Sequence, residues 1–182
     1  QDHAGVGSAL PDYLQYYRIR QLKNLGVNSY RSSHNAPTPE LLDACDSLGM
    51  LVMDETRLLN SSPEYMDQFE CLIRRDRNHP CVVLWEVSLN ETGMTPEFIE
   101  TTHRIAHQEY PGDQMFTCGW MEGYDVFIRA RQHGGCPADE SQPCVVSEYG
   151  DWEYYAMTAG LNQEDFQALR SDEQNSRQLR WH

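Results

Sequence analysis

Apolar residues along this chain fall into two alternating rhythms, helical spacings of three to four and short unbroken runs, and together they predict a strand, helix, strand, helix order. Residues 11–25 carry Leu14, Tyr17, Ile19, Leu22 and Leu25 at helical intervals, with Gly26 as the stop. Residues 27–34 read as a short strand ending in polar groups. A second helix follows: Thr38 is its N-cap, Pro39 its first residue, Leu41, Leu42, Ala44, Cys45 and Leu48 its apolar face, and Gly49 its end. Residues 50–55 form an apolar strand closing on Asp54 and Glu55. Ser62 and Pro63 open a third helix through Tyr65, Phe69, Leu72 and Ile73, with arginines at its end, as the helix dipole prefers.

The stretch 81–91 is a β-branched and aromatic run that ends in Asn90-Glu91, the pattern of a buried strand delivering a carboxylate to a site. Thr95-Pro96 starts a fourth helix bearing Phe98, Ile99, Thr102, Ile105 and Ala106. Residues 114–120 are strand-like, and residues 124–130 fit a strand or a short helix. Residues 143–148 repeat the central arrangement, an apolar strand ending in Glu148, followed by Tyr149 and Gly150. Residues 162–180 read as a helix. Recurrent strand–helix units imply parallel strands joined by crossovers. The polar groups fall at the strands' C-terminal ends: His34, Asp54 with Glu55, Asn90 with Glu91, Trp120, and Glu148 with Tyr149. A ring of such ends favours a (β/α)8 barrel over a doubly wound sheet. No glycine-rich phosphate loop is present, which argues against a nucleotide cofactor.

Composition narrows the partners. With 28 acidic against 14 basic residues and a net charge of −14, the chain lacks the clustered lysine and arginine that nucleic acid or an anionic membrane requires. A neutral or weakly charged ligand fits better. No apolar run reaches the length of a membrane span. The six cysteines have no Cys-x-x-Cys spacing, so free thiols and no zinc site are expected. The first residue is Gln, which suggests a piece of a longer protein.

Two strands that each end in glutamate make Glu91 and Glu148 a candidate carboxylate pair, with a structural cap or ion pair as the alternative for each. Trp120, Trp152 and Tyr149 are candidates for a stacking wall, with core packing the simpler role for Trp152. Glu86, inside the central apolar run, calls for a cationic partner.

The ordered set Gln1-Asp-His, Arg31-Ser-Ser-His34-Asn35 with Pro37, Gly49-Met-Leu-Val-Met-Asp54-Glu55, His79-Pro80 before Trp85, Asn90-Glu91, and Ser147-Glu148-Tyr149-Gly150 resembles the catalytic barrel of glycoside hydrolase family 2, which includes bacterial β-galactosidases, β-glucuronidases and β-mannosidases. The resemblance runs over nearly the whole chain. It implies a retaining glycosidase with Glu91 as acid/base and Glu148 as nucleophile, acting on terminal β-linked sugars, most readily β-galactosides; the residues themselves give no cofactor or metal site. Asn90, His34, Arg31, Asp54, Tyr149 and Trp120 would then contact the sugar or orient the nucleophile. For Asp54 and Glu55 an ion pair with Arg31 or Arg57 is the alternative. The chain departs from the family in having Leu89 where many members have glycine before Asn-Glu. Counted against eight strands, roughly strands 2 to 7 are present, so a partial barrel over residues 1–182 is expected, without the family's β-sandwich domains. A non-catalytic sugar-binding fragment is the alternative function, and open strand edges leave self-association open. Lys23 is the sole lysine, which favours a neutral sugar over a glucuronide.

Overall fold

The computed structural model describes residues 5–58, 61–88, 94–113, 115–119, 121–130 and 143–148, and at Leu58, Ser88, Arg129, Ala130 and Glu148 the backbone alone. The elements run α1 (Asp12–Asn24), β1 (Ser29–Arg31), α2 (Pro39–Leu48), β2 (Leu51–Leu58), α3 (Pro63–Asp76), β3 (Val82–Ser88), α4 (Pro96–Glu109), β4 (Phe116–Thr117), β5 (Phe127–Ala130) and β6 (Cys144–Glu148). Strands β1 to β4 pair in chain order as one parallel sheet, and β5 pairs in parallel with β6. Parallel neighbours in chain order with helices between them are the winding of an α/β barrel. Among the described residues that barrel is open, its strands divided between two sheets.

Local chemistry accounts for the helix limits. Thr38 Oγ1 accepts from the Leu41 amide at 3.3 Å, Thr95 Oγ1 accepts from the Phe98 amide at 3.2 Å, and Pro39 and Pro96 follow as first helical residues. Gly49 ends α2 at φ 69°, a left-handed conformation that costs an L side chain steric strain. Between the helices and the sheet lie Ile19, Leu42, Phe69, Ile73, Trp85, Phe98 and Phe116, all nearly or fully buried. Phe69 meets Phe116 edge-on, with ring centroids 6.5 Å apart, and Trp85 meets Tyr110 likewise at 5.7 Å.

The register sorts the strand side chains into two faces. Asp54 pairs with Trp85 and Trp85 with Phe116, while Glu55 pairs with Glu86 and Glu86 with Thr117. Registered residues on parallel strands share a face, and successive residues alternate. Trp85 and Phe116 lie in the helix-side core, so Asp54 points there too, whereas Glu55, Glu86 and Thr117 form a buried polar row on the opposite, interior face. Entry to β3 is held by Asp46 of α2, whose carboxylate accepts from the Cys81 amide at 2.8 Å and lies 2.6 Å from His79 Nδ1.

Several expectations change in detail. The strand expected over 114–120 reduces to β4, because the Phe116 carbonyl accepts from the Asp125 and Val126 amides and the Asp125 carboxylate takes the Phe116 amide. Residues 127–130, open between strand and helix, are strand β5. The helix expected over 162–180 lies outside the described residues. Cys45, Cys71, Cys81 and Cys118 are free thiols, and burial pushes Cys45 and Cys118 up to about 12, but Cys144 is disulfide-bonded, against the expectation of free thiols throughout. No helix among the described residues is long and apolar enough to cross a membrane.

A cleft of about 490 Å³ is lined by residues of β1, β2 and β3 and by Val145, Val146 and Ser147 of β6. Its apolar walls are open: Leu51, Val83 and Val146 are 47%, 39% and 40% exposed.

Candidate active site

Polar groups gather where β1 ends beside β2. Glu55, fully buried, is held from two sides: Arg31 Nε donates to Oε2 at 2.8 Å, and His34 Nδ1 lies 2.7 Å from Oε1. Ser32 joins the two strands behind them, its Oγ accepting from the Glu55 amide at 2.9 Å and donating to the Met53 carbonyl at 3.3 Å. Arg31 and Glu55 are thereby fixed, with side-chain exposures of 10% and 0%, while His34, at 27%, is the member that reaches solvent. Burial raises the Glu55 carboxyl above the ordinary carboxylate range, opposed by the Arg31 charge and by its contacts to His34. Deeper in the interior row, Glu86 Oε2 accepts from the Gly119 amide at 3.3 Å.

Asp54 is placed elsewhere. Although adjacent to Glu55, it faces α3, fully buried, beside Asp76, whose carboxylate takes Arg75 Nε at 2.7 Å and Nη2 at 2.6 Å. Neither Asp54 oxygen has a donor within reach. Burial, then the neighbouring Asp76, raises its carboxyl far above the usual range, to about 9, which favours the neutral acid at this position. The expected sugar contact from Asp54 is thus replaced by an inter-element acid pair on the helix side, and the acid that joins Arg31 and His34 is Glu55, in the ion pair weighed as its alternative. The period-two alternation of β2 is the physical reason: only one of two successive acids can face the interior.

Of the remaining candidates, Glu148 ends β6, its backbone registered opposite Ala130. Asn90, Glu91, Trp120 and Tyr149 lie outside the described residues, as does Trp152. Asn90 and Glu91 follow β3 by two and three residues in sequence. The sequence reading did not single out His103, His107 and Asp125, whose side chains converge on the α4 side of the β4–β5 connection. The signal available for the first two was their spacing of four on a helix.

Chemically, a buried carboxylate holding an arginine and a part-exposed imidazole makes a rigid donor set, suited to binding hydroxyl oxygens or a neighbouring carboxylate. Residues 1–62 match the family model described as "Glycosyl hydrolases family 2, TIM barrel domain". A β-galactosidase of Thermoanaerobacter pseudethanolicus is 35% identical over 113 residues, which covers 57% of this chain and 15% of that protein. A β-glucuronidase of Mus musculus is 38% identical over 97 residues, 48% of this chain and again 15% of the relative. The chain therefore spans a small part of the length of these relatives. Among solved structures, a β-glycosidase from Bacteroides vulgatus superposes with a TM-score of 0.61 at 29% identity, covering 84% of this chain and 20% of that one.

Proposed function

We propose, from the match of residues 1–62 to the TIM-barrel domain of glycosyl hydrolase family 2, that the chain carries the acid/base and nucleophile of a retaining β-glycosidase that acts on a neutral terminal sugar, a β-galactoside foremost. In this reading Glu148 attacks the anomeric carbon and the leaving oxygen takes a proton from Glu91; Glu91 then draws a proton from water, which releases the sugar from Glu148. Asn90 hydrogen-bonds the hydroxyl beside the anomeric carbon, where the contact strengthens as charge develops. Arg31 and His34, fixed by Glu55, orient the nucleophile and hold sugar hydroxyls, and Trp120 and Tyr149 supply aromatic walls.

The observation that carries this reading is the order of strand ends: Arg31 and His34 at the end of β1, Glu55 within the C-terminal half of β2, Asn90-Glu91 just past β3, and Glu148 closing β6, on strands wound in parallel. A neutral sugar is supported by the whereabouts of Lys23, the sole lysine, whose Nζ donates to the Gly49 carbonyl at the end of α2, away from Arg31 and His34. The second reading, a carbohydrate-binding fragment without turnover, is supported by the open cleft with exposed Leu51, Val83 and Val146 and by the small share of each relative that the chain spans. The same exposed walls support self-association of the isolated chain.

The test is turnover of aryl β-galactosides by an enzyme containing this chain. Glu148→Gln is expected to abolish hydrolysis of every substrate, whereas Glu91→Gln spares the first step for aryl groups that leave without a proton. Equal loss on activated and unactivated substrates would overturn the role given to Glu91. Full activity of Glu148→Gln would overturn the nucleophile.

A further inference from the structure

We propose that His103, His107 and Asp125 form a binding site for a first-row divalent transition ion, zinc foremost. Two histidines four residues apart on α4 stand one turn above the other on one helix face. Both direct Nε2 to one carboxylate, an oxygen each: His103 Nε2 lies 2.8 Å from Asp125 Oδ1 and His107 Nε2 lies 2.8 Å from Oδ2. One ligand atom from each of the three residues lies within 4.8 Å of the other two. An ion that sits about 2.0–2.2 Å from nitrogen and oxygen ligands is reached from that spacing by small side-chain movements.

The ligands are oriented before any ion arrives. The His103 ring stands edge-on to Phe116, with centroids 5.1 Å apart at 89°, and lies 4.3 Å from the His107 ring. Asp125 Oδ2 is held by the Phe116 amide at 3.0 Å and the Met115 amide at 3.4 Å, which leaves Oδ1 the freer ligand atom. Side-chain exposures of 37%, 30% and 12% for His103, His107 and Asp125 give an ion access from solvent to a part-buried set. Two imidazoles and one carboxylate suit zinc, cobalt or nickel, whereas magnesium and calcium select sites made of oxygens. On binding, each neutral imidazole carries its proton on Nδ1 and presents the Nε2 lone pair, so the ion replaces the two contacts to Asp125 and ties α4 to the β4–β5 connection. A second three-residue cluster among the described residues, Asp43, Asp46 and His79, is a weaker candidate: Asp43 is 4.0 Å from His79 and 59% exposed, and Asp46 is already engaged by the Cys81 amide.

Titration of the full 182-residue chain with cobalt(II), followed by absorption, tests the site. The expected result is one ion per chain without a thiolate-to-cobalt band, weakened at least about tenfold by His103→Gln or His107→Gln and unchanged by His79→Gln. Absence of stoichiometric binding, a thiolate band, unchanged affinity in both α4 variants, or equal loss in His79→Gln would overturn it. A measurement on the unaltered chain removes dependence on variant folding: zinc should protect His103 and His107 from diethyl pyrocarbonate, as read by peptide mass spectrometry. Equal modification with and without zinc would also overturn the site.

Discussion

Glu55 and His34, twenty-one residues apart in sequence, meet through a 2.7 Å contact between Oε1 and Nδ1, while the other oxygen of the same carboxylate takes Arg31. One buried acid thereby holds two of the site's candidate residues. Glu55→Gln removes the carboxylate that Arg31 meets in a 10% exposed position, and breaking such a pair from one side costs on the order of 3–5 kcal/mol. Denaturant unfolding of the variant checks this, and a loss below about 1 kcal/mol would mean that Arg31 is satisfied without Glu55. In an enzyme containing the chain, kcat/KM on an aryl β-galactoside is expected to fall at least about tenfold, from misaimed Arg31 and His34.

The acid pair on the helix side gives stability a pH dependence of defined sign. Asp54 is raised in the folded state and titrates near 3.9 when unfolded, so the unfolded chain releases its proton first. Its favourable contribution is complete below about pH 4 and is lost as pH rises toward the elevated folded value. Asp54→Asn keeps the amide neutral throughout and is expected to flatten that slope. Thermal unfolding across pH 5 to 9 decides it: a variant with the slope of the parent would remove Asp54 as the cause.

Helix α2 offers a local test. Thr38→Ala removes the acceptor of the Leu41 amide and is expected to cost about 1 kcal/mol, and Gly49→Ala, at φ 69°, about 1–2 kcal/mol. Cβ of an alanine at 49 meets nothing within 4 Å, so any cost is conformational and not a clash. Additive losses in the double variant, measured by urea unfolding, would show that the two ends act independently.

The open cleft predicts the behaviour of the isolated chain. Leu51, Val83 and Val146 present apolar surface in this cleft, which favours dye binding and association with other copies. Sedimentation velocity over a concentration series should show reversible self-association, reduced by Val146→Ser. A concentration-independent monomer that binds no apolar dye would contradict this.

By itself the sequence determined the parts that depend on near neighbours. The four helices, their Thr-Pro starts at 38 and 95, the Gly49 stop and the parallel strand order follow from periodicity and capping, which act over a few residues. His34 was legible as a polar strand end for the same reason, and Arg31 through the resemblance carried by Arg31-Ser-Ser-His34. Only the tertiary structure decided which of Asp54 and Glu55 faces the interior. Alternation requires opposite faces, but the choice is made by the packing of α3, which brings Asp76 behind Asp54, and of β1, which brings Arg31 in front of Glu55. The convergence of His103 and His107 on Asp125 depends on a return of the chain 18 to 22 residues later, and the short β4 on amides that Asp125 and Phe116 exchange. Contacts of that kind carry no local signal, because their free energy is gained only after the loop between them has closed.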